Sequence, residues 1–148
     1  MSANKMSYKI RNRRNQKGQS IVEFALIAPV LILLFMGMFD FGWILHQQIQ
    51  MDNATRLGAR RGAVGDSNSE ILTQMLGSMT LTEEQVTISF DVNDPDGVSV
   101  GNSEDRTPDN VMWVAIDYPD VPLITPLAAL MSSMGTINLH SESEFLIE

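Results

Sequence analysis

The chain has 148 residues, a net charge of −8 and no cysteine, which leaves room for one domain plus an appendage and excludes a disulfide, a thiolate nucleophile and a Cys-ligated zinc site. The charge is sharply divided. All six basic residues before Gly18 (Lys5, Lys9, Arg11, Arg13, Arg14 and Lys17) stand without an acid, whereas the remainder sets four arginines against 18 acids, a net of −14 that repels phosphate and excludes a nucleic-acid partner for that part.

After the basic leader, Phe24 to Phe39 runs for sixteen residues without a charge, and the apolar character resumes at Phe41 and at Trp43 to Leu45. As a helix, residues 21–45 would extend about 37 Å, enough for a hydrocarbon core of about 30 Å. The positive-inside rule keeps the basic N-terminus in the cytoplasm and sends the acidic remainder outward. Trp43 then falls near the outer interface, where an indole is favoured, and Asp40 beside it is expected to reach water. A cleavable secretory signal is the competing reading. It needs a small-x-small site after the apolar run, and Gly37-Met38-Phe39-Asp40-Phe41-Gly42-Trp43 is too bulky to supply one.

One long helix is predicted over residues 20–64, with Pro29 as its single internal breaker; in a membrane helix a proline kinks more often than it terminates. Beyond Leu45 the apolar positions thin to Ile44, Met51, Ala54, Leu57 and Gly58, a narrow face suited to packing on the chain's own domain. Asp52 and Arg56 lie outside it at i, i+4. Gly58 and Gly62 allow something to approach closely, and Gly65-Asp66-Ser67-Asn68 ends the helix.

A short helix is predicted over residues 70–78. Val86, Ile88, Phe90 and Val92 then alternate with polar residues, the pattern of a half-buried strand. Asn93-Asp94-Pro95-Asp96-Gly97 is a turn cluster leading into a brief strand at residues 98–100. Residues 101–110 read as a polar loop, 111–118 as a second clear strand and 136–146 as a third, with Ser141-Glu142-Ser143-Glu144 as its polar face. Thr125-Pro126 opens a short helix over residues 123–134. The expected fold class is therefore α+β: a long N-terminal transmembrane helix followed by a small antiparallel sheet domain of three or four strands.

Chemistry-bearing clusters are scarce. His46 and His140 are isolated from other ligand-type residues at ligand spacing. Asp94 and Asp96, like Ser103-Glu104-Asp105, invite a calcium reading, but the longer ligand series and closing glutamate of an EF-hand loop are missing. No catalytic residue, cofactor or metal site is assigned, and the chain is not expected to be an enzyme.

Two residues at the start of the apolar run stand apart. Gly18 separates the basic leader from the helix, and Glu23 places a carboxyl at the inner edge of the apolar run, where ionisable groups are costly. Basic leader, Gly18, then an apolar stretch with glutamate fifth resembles a type IV prepilin signal. That resemblance implies cleavage after Gly18 on the cytoplasmic side, a new N-terminus at Gln19, and a mature protein that keeps its helix. Glu23 would then pair with a neighbouring subunit's terminal amine.

Residues 22–63 as a whole resemble the TadE-like family of Flp (tight adherence) pilus systems. The resemblance rests on Val22-Glu23-Phe24-Ala25-Leu26, Pro29, the Leu-rich run at residues 31–34, Gly37 and Gly42, and Thr55-Arg56-Leu57-Gly58-Ala59-Arg60. From Tyr118-Pro119 to the end, the chain is more loosely similar to the family's closing pattern. Leu57 replaces the acid usual in the Arg56 to Arg60 block, removing any salt bridge that acid makes. Gln19 stands where many type IV pilins carry an N-methylated phenylalanine, which leaves methylation open.

The resemblance implies a pilin-like architecture and a minor pseudopilin for assembly of a Flp/Tad-type (type IVb/c) pilus used in adherence. Its partners would be a prepilin peptidase, other pilins and pseudopilins, pilus assembly platform proteins and the membrane. The organisation that follows is a leader over residues 1–18, a transmembrane and assembly helix over 19–45, its extension over 46–65 and an exported domain over 66–148. The protein would cross the bacterial inner membrane once, N-terminus in the cytoplasm and C-terminal domain periplasmic or extracellular, with incorporation into the pilus a further option. An uncleaved membrane-anchored periplasmic scaffold or binding domain is the alternative.

Overall fold

The computed structural model describes residues 14–104, 106–126 and 136–148, with side chains from residue 18 onward. The predicted long helix is present as α1, Arg14–Val64. At 51 residues it extends about 77 Å. It runs through Pro29 without ending, although the proline has no N–H to offer the Ala25 carbonyl.

Two halves of α1 have different surroundings. None of its most apolar stretch is buried by the rest of the chain, while Met51, Ala54, Thr55, Ala59 and the intervening Gly58 are covered. The helix stops at Gly65, which adopts a left-handed φ of 105°. Gly65 N–H donates to the Gly62 carbonyl (3.1 Å) and Asp66 N–H to the Arg61 carbonyl (3.2 Å). This is the Schellman arrangement, which satisfies two otherwise orphaned carbonyls and favours glycine at that one position.

Ser67 then opens α2, Asn68–Ser78. Its hydroxyl accepts from Glu70 N–H, and the Glu70 carboxylate accepts from Ser67 N–H, a reciprocal capping box. The Ser67 hydroxyl also donates to that carboxylate (2.8 Å), and this bond, with the one from Ser67 N–H, holds the Glu70 carboxyl below its usual range. Ile71 and Met75 form the buried face of α2.

Three antiparallel strands complete the domain in the order β1-β2-β3: β1 Thr87–Asn93, β2 Val111–Tyr118 and β3 Leu139–Leu146. The fold is thus α+β, a long apolar N-terminal helix followed by a small antiparallel sheet. Central β2 sends Met112, Val114, Ile116 and Tyr118 into the core, where they meet Met51, Ala54, Ile71 and Met75 from the helices. Both helical glycines of the buried half are sites of close approach. A Cβ on Gly58 would lie 2.4 Å from Met75 Sδ, and one on Gly62 would lie 2.6 Å from Met112 Cγ.

Several expectations are corrected. The brief strand at residues 98–100 shrinks to one bridge between Asn93 and Ser99, because positive φ at Gly97 and at Gly101 confines the extended stretch. Of the helix expected over residues 123–134, residues 127–134 lie outside the described residues, and 123–126 are non-helical. Leu57 is only half-buried. The Asp52 carboxylate accepts from Gln48 Nε2 (3.0 Å) and Ser141 Oγ (2.7 Å).

The third strand also differs from its reading as one polar face. Ser141 and Ser143 point toward α1 while Glu142 and Glu144 point outward, so both sides of that stretch are polar. Thr55 Oγ1 lies 3.1 Å from Ser141 Oγ and 3.2 Å from Ser143 Oγ. With Gln48 Nε2 donating to the His140 carbonyl (3.0 Å), this polar ladder fastens β3 to α1.

Candidate functional site

Every candidate residue taken from the sequence lies on α1, and they are strung along it rather than gathered into a pocket. From Gly18 to Arg60 the helix covers about 63 Å. At its start, Val22, Phe24, Ala25 and Leu26 are exposed, as are most of the large apolar residues through Phe41. Pro29 and Gly42 are exposed too, and Gly37 half-buried. A face this apolar, left uncovered by the described residues, is of the kind that meets a membrane or another protein.

Gly18 lies within α1, and a Cβ added there would meet nothing within 4 Å. The same openness holds at Gly37 and Gly42. Glycine in a helix interior costs about 1 kcal/mol relative to alanine. Gly58 and Gly62 are explained by the methionines packed on them, whereas packing among the described residues gives no reason for Gly18, Gly37 or Gly42.

Glu23 is exposed, and its carboxylate accepts from Gln19 Nε2 one turn earlier (3.2 Å). The two residues assigned to processing and docking are therefore already adjacent. Their contact is a side-chain amide donating to a carboxylate.

The Thr55 to Arg60 block divides by direction. Thr55, Gly58 and Ala59 face the sheet and α2, while Arg56 and Arg60 are exposed. Half of this motif builds the chain's own core, and the other half is presented to solvent.

The sequence reading missed a buried polar stripe on the same helix. Asp40, Gln47 and Thr55 are all buried, in line with Met51, Gly58 and Gly62. Asp40 was expected to reach water; it is only 3% exposed. Its Oδ1 accepts from the backbone N–H of Ile124 (2.9 Å) and Thr125 (3.0 Å), and its Oδ2 from the Thr125 hydroxyl. The signal was present in the spacing: Asp40, Gln47, Met51, Ala54 and Gly58 follow a helical repeat. Counting apolar residues alone discards it.

Elsewhere, the acids that invited a calcium reading are engaged within the chain. Asp94 Oδ1 accepts from Asp96 N–H (3.0 Å) and Val98 N–H (2.8 Å), and Glu104 Oε1 from Asn68 N–H (3.0 Å). Asp105 lies outside the described residues. Among the described residues, no group of three or more His, Asp or Glu side chains is placed to hold a metal ion. His140 is not isolated in space: its Nδ1 sits 2.7 Å from Asp117 Oδ1 and its Nε2 3.6 Å from Glu142 Oε2. The hydrogen bond that His140 Nδ1 donates to Asp117 is the main cause that raises the His140 pKa above its usual value, with Glu142 adding to it.

No curated protein and no solved structure matches the chain. The match to a protein family is confined to α1, covering all of the apolar half and the inward-facing glycine at residue 58, and none of the sheet. Across residues 18–60 this chain is a match to the family described as TadE-like protein.

Proposed function

We propose that this chain is a minor pseudopilin-like membrane protein that helps assemble a Flp/Tad-type pilus used in adherence. The observation that carries the reading is the TadE-like match over a helix whose apolar half is uncovered. That half is held in the inner membrane before assembly and packs against other pilin helices afterwards. The N-terminus stays in the cytoplasm and the sheet domain is exported, following the charge division of the sequence. The role is one of assembly rather than catalysis.

Maturation is by a prepilin peptidase cutting between Gly18 and Gln19. Supporting this, the described residues give no packing reason for glycine at 18, while a protease cleft does benefit from an unhindered backbone there. Cleavage frees a positive amine on Gln19 one helical turn from Glu23. In a bundle of such helices, pairing Glu23 with a neighbour's amine offsets the cost of burying either charge. Pilins, pseudopilins and the assembly platform are the partners in this scheme.

One observation favours a second reading, an uncleaved anchor for a periplasmic scaffold. Gly18 and Gln19 are already helical, and a protease cleft requires extended backbone. The N-terminal sequence of the protein made beside its cognate peptidase separates the two. A mature chain beginning at Gln19, lost on Gly18→Leu, supports the pseudopilin; an intact N-terminus under those conditions supports the anchor.

A further inference from the structure

The connection between β2 and β3 leaves the sheet at Val121, whose N–H donates to the Ile137 carbonyl (2.8 Å), and reaches across to α1 at Asp40. There the Asp40 carboxylate takes three hydrogen bonds from Ile124 and Thr125. This fixes how Ile124 and Thr125 lie on the helix. Turned away from that contact is Ile124, 61% exposed, beside Met38 at 63% and Phe39 at 71%. Together with Gly42, Trp43 and His46 they line a shallow, almost wholly apolar groove.

The groove's height along the helix identifies what covers it. From Ile21 to Asp40 is twenty residues, about 30 Å of helix, which is the thickness of a hydrocarbon core. Asp40 therefore stands at the outer boundary of the bilayer, given the reading that this helix spans it. A carboxylate at that depth ordinarily reaches out to water. Here it is turned inward and consumed by the connection, and the surface presented at the boundary is Ile124 with the aromatic side chains next to it. That surface is continuous with the exposed apolar face of the span.

We propose that residues 121–125, where the chain leaves β2, form a membrane seat: Ile124 enters the interfacial region of the outer leaflet beside Phe39 and Trp43, and Asp40 is the buckle that holds it there. The occupant of the groove is lipid. Contact is apolar rather than electrostatic, because the exported part carries a large acid excess that anionic headgroups would repel. The sheet domain, already fastened to α1, is thereby held at a fixed attitude on the membrane surface.

Because the chain has no cysteine, single-cysteine variants report without background. The full chain is reconstituted in phosphatidylcholine vesicles carrying nitroxide lipids labelled near the headgroup, with an environment-sensitive fluorophore at I124C, V98C or L33C. Val98 is as exposed as Ile124, 61%, but lies on the β1 hairpin; Leu33 lies in the middle of the span. The expected result is quenching at 124 several-fold greater than at 98, unaffected by salt or by the protein-to-lipid ratio. Adding Asp40→Ala should bring position 124 down to the level of 98. Quenching at 124 no greater than at 98, with position 33 still lipid-exposed by a mid-chain nitroxide, overturns the seat while leaving the span standing. Protection at 124 that grows with protein density without lipid quenching also overturns it, in favour of a second copy of the chain. An aqueous position 33 removes the span and the seat together. The wild-type comparison of 124 with 98 is decisive even where Asp40→Ala fails to fold.

Discussion

Gly58 offers the sharpest test of how the helix is held to its domain. In an open helical position Gly→Ala stabilises by about 1 kcal/mol. Here the added methyl would sit 2.4 Å from Met75 Sδ, 3.2 Å from Ile71 Cγ2 and 3.3 Å from Met75 Cε. Met75 and Ile71 are both fully buried, so the sulfur cannot retreat into solvent. Overpacking of that kind costs about 1–3 kcal/mol, leaving Gly58→Ala between neutral and about 2 kcal/mol destabilised after the propensity gain. For a domain of this size each kcal/mol lowers the melting temperature by about 4–8 °C. The assay is thermal unfolding of the detergent-solubilised chain, followed by near-ultraviolet circular dichroism. Met75→Ala alone should cost about 2–5 kcal/mol. With both changes the new methyl enters the vacated space, so the double variant should be more stable than the sum of the singles by about 1 kcal/mol or more. A Gly58→Ala variant stabilised by the full propensity gain, with additive behaviour toward Met75→Ala, would refute the close approach.

Three further outcomes are expected. Thr55→Val removes the hydroxyl shared by Ser141 and Ser143 in a fully buried setting, and should cost about 1–3 kcal/mol in the same thermal assay; an unchanged melting temperature contradicts the polar ladder between α1 and β3. The raised pKa of His140 means that its contribution is fully present below about pH 6.5 and is lost as pH rises through the elevated folded-state value. Both partners are about half exposed, so the effect stays under about 1 kcal/mol, and NMR titration should show the His140 pKa falling in Asp117→Asn; no fall would remove Asp117 as its cause. Glu23→Ala should leave processing after Gly18 intact while lowering pilus production in cells, and undiminished piliation counts against the docking role of that carboxylate.

The elements were largely legible because their signals are local. Sixteen uncharged residues from Phe24, the two-residue alternation of β1 and β2, and the Gly65-Asp66-Ser67 break each report on neighbours a few positions away. The long helix, the short helix and three strands therefore stand where periodicity and turn chemistry put them. Residues 98–100 looked like a strand for the same local reasons, yet two glycines with positive φ bound the stretch to a single bridge.

The chain's sequence by itself determined which end is basic, which stretch can cross a bilayer, and where Gly18 and Glu23 interrupt it, since charge and hydropathy are properties of composition. Only the tertiary structure decided what seals the buried polar groups and which glycines are needed. Asp40 is sealed by residues 84 and 85 positions later, and Thr55 by serines 86 and 88 positions later. Gly58 and Gly62 look no different in sequence from Gly37 and Gly42, but the first pair meets methionine side chains and the second meets open space. A residue's partners across that distance are set by how the sheet closes onto the helix, and hydrophobic periodicity along the chain carries no record of that closure.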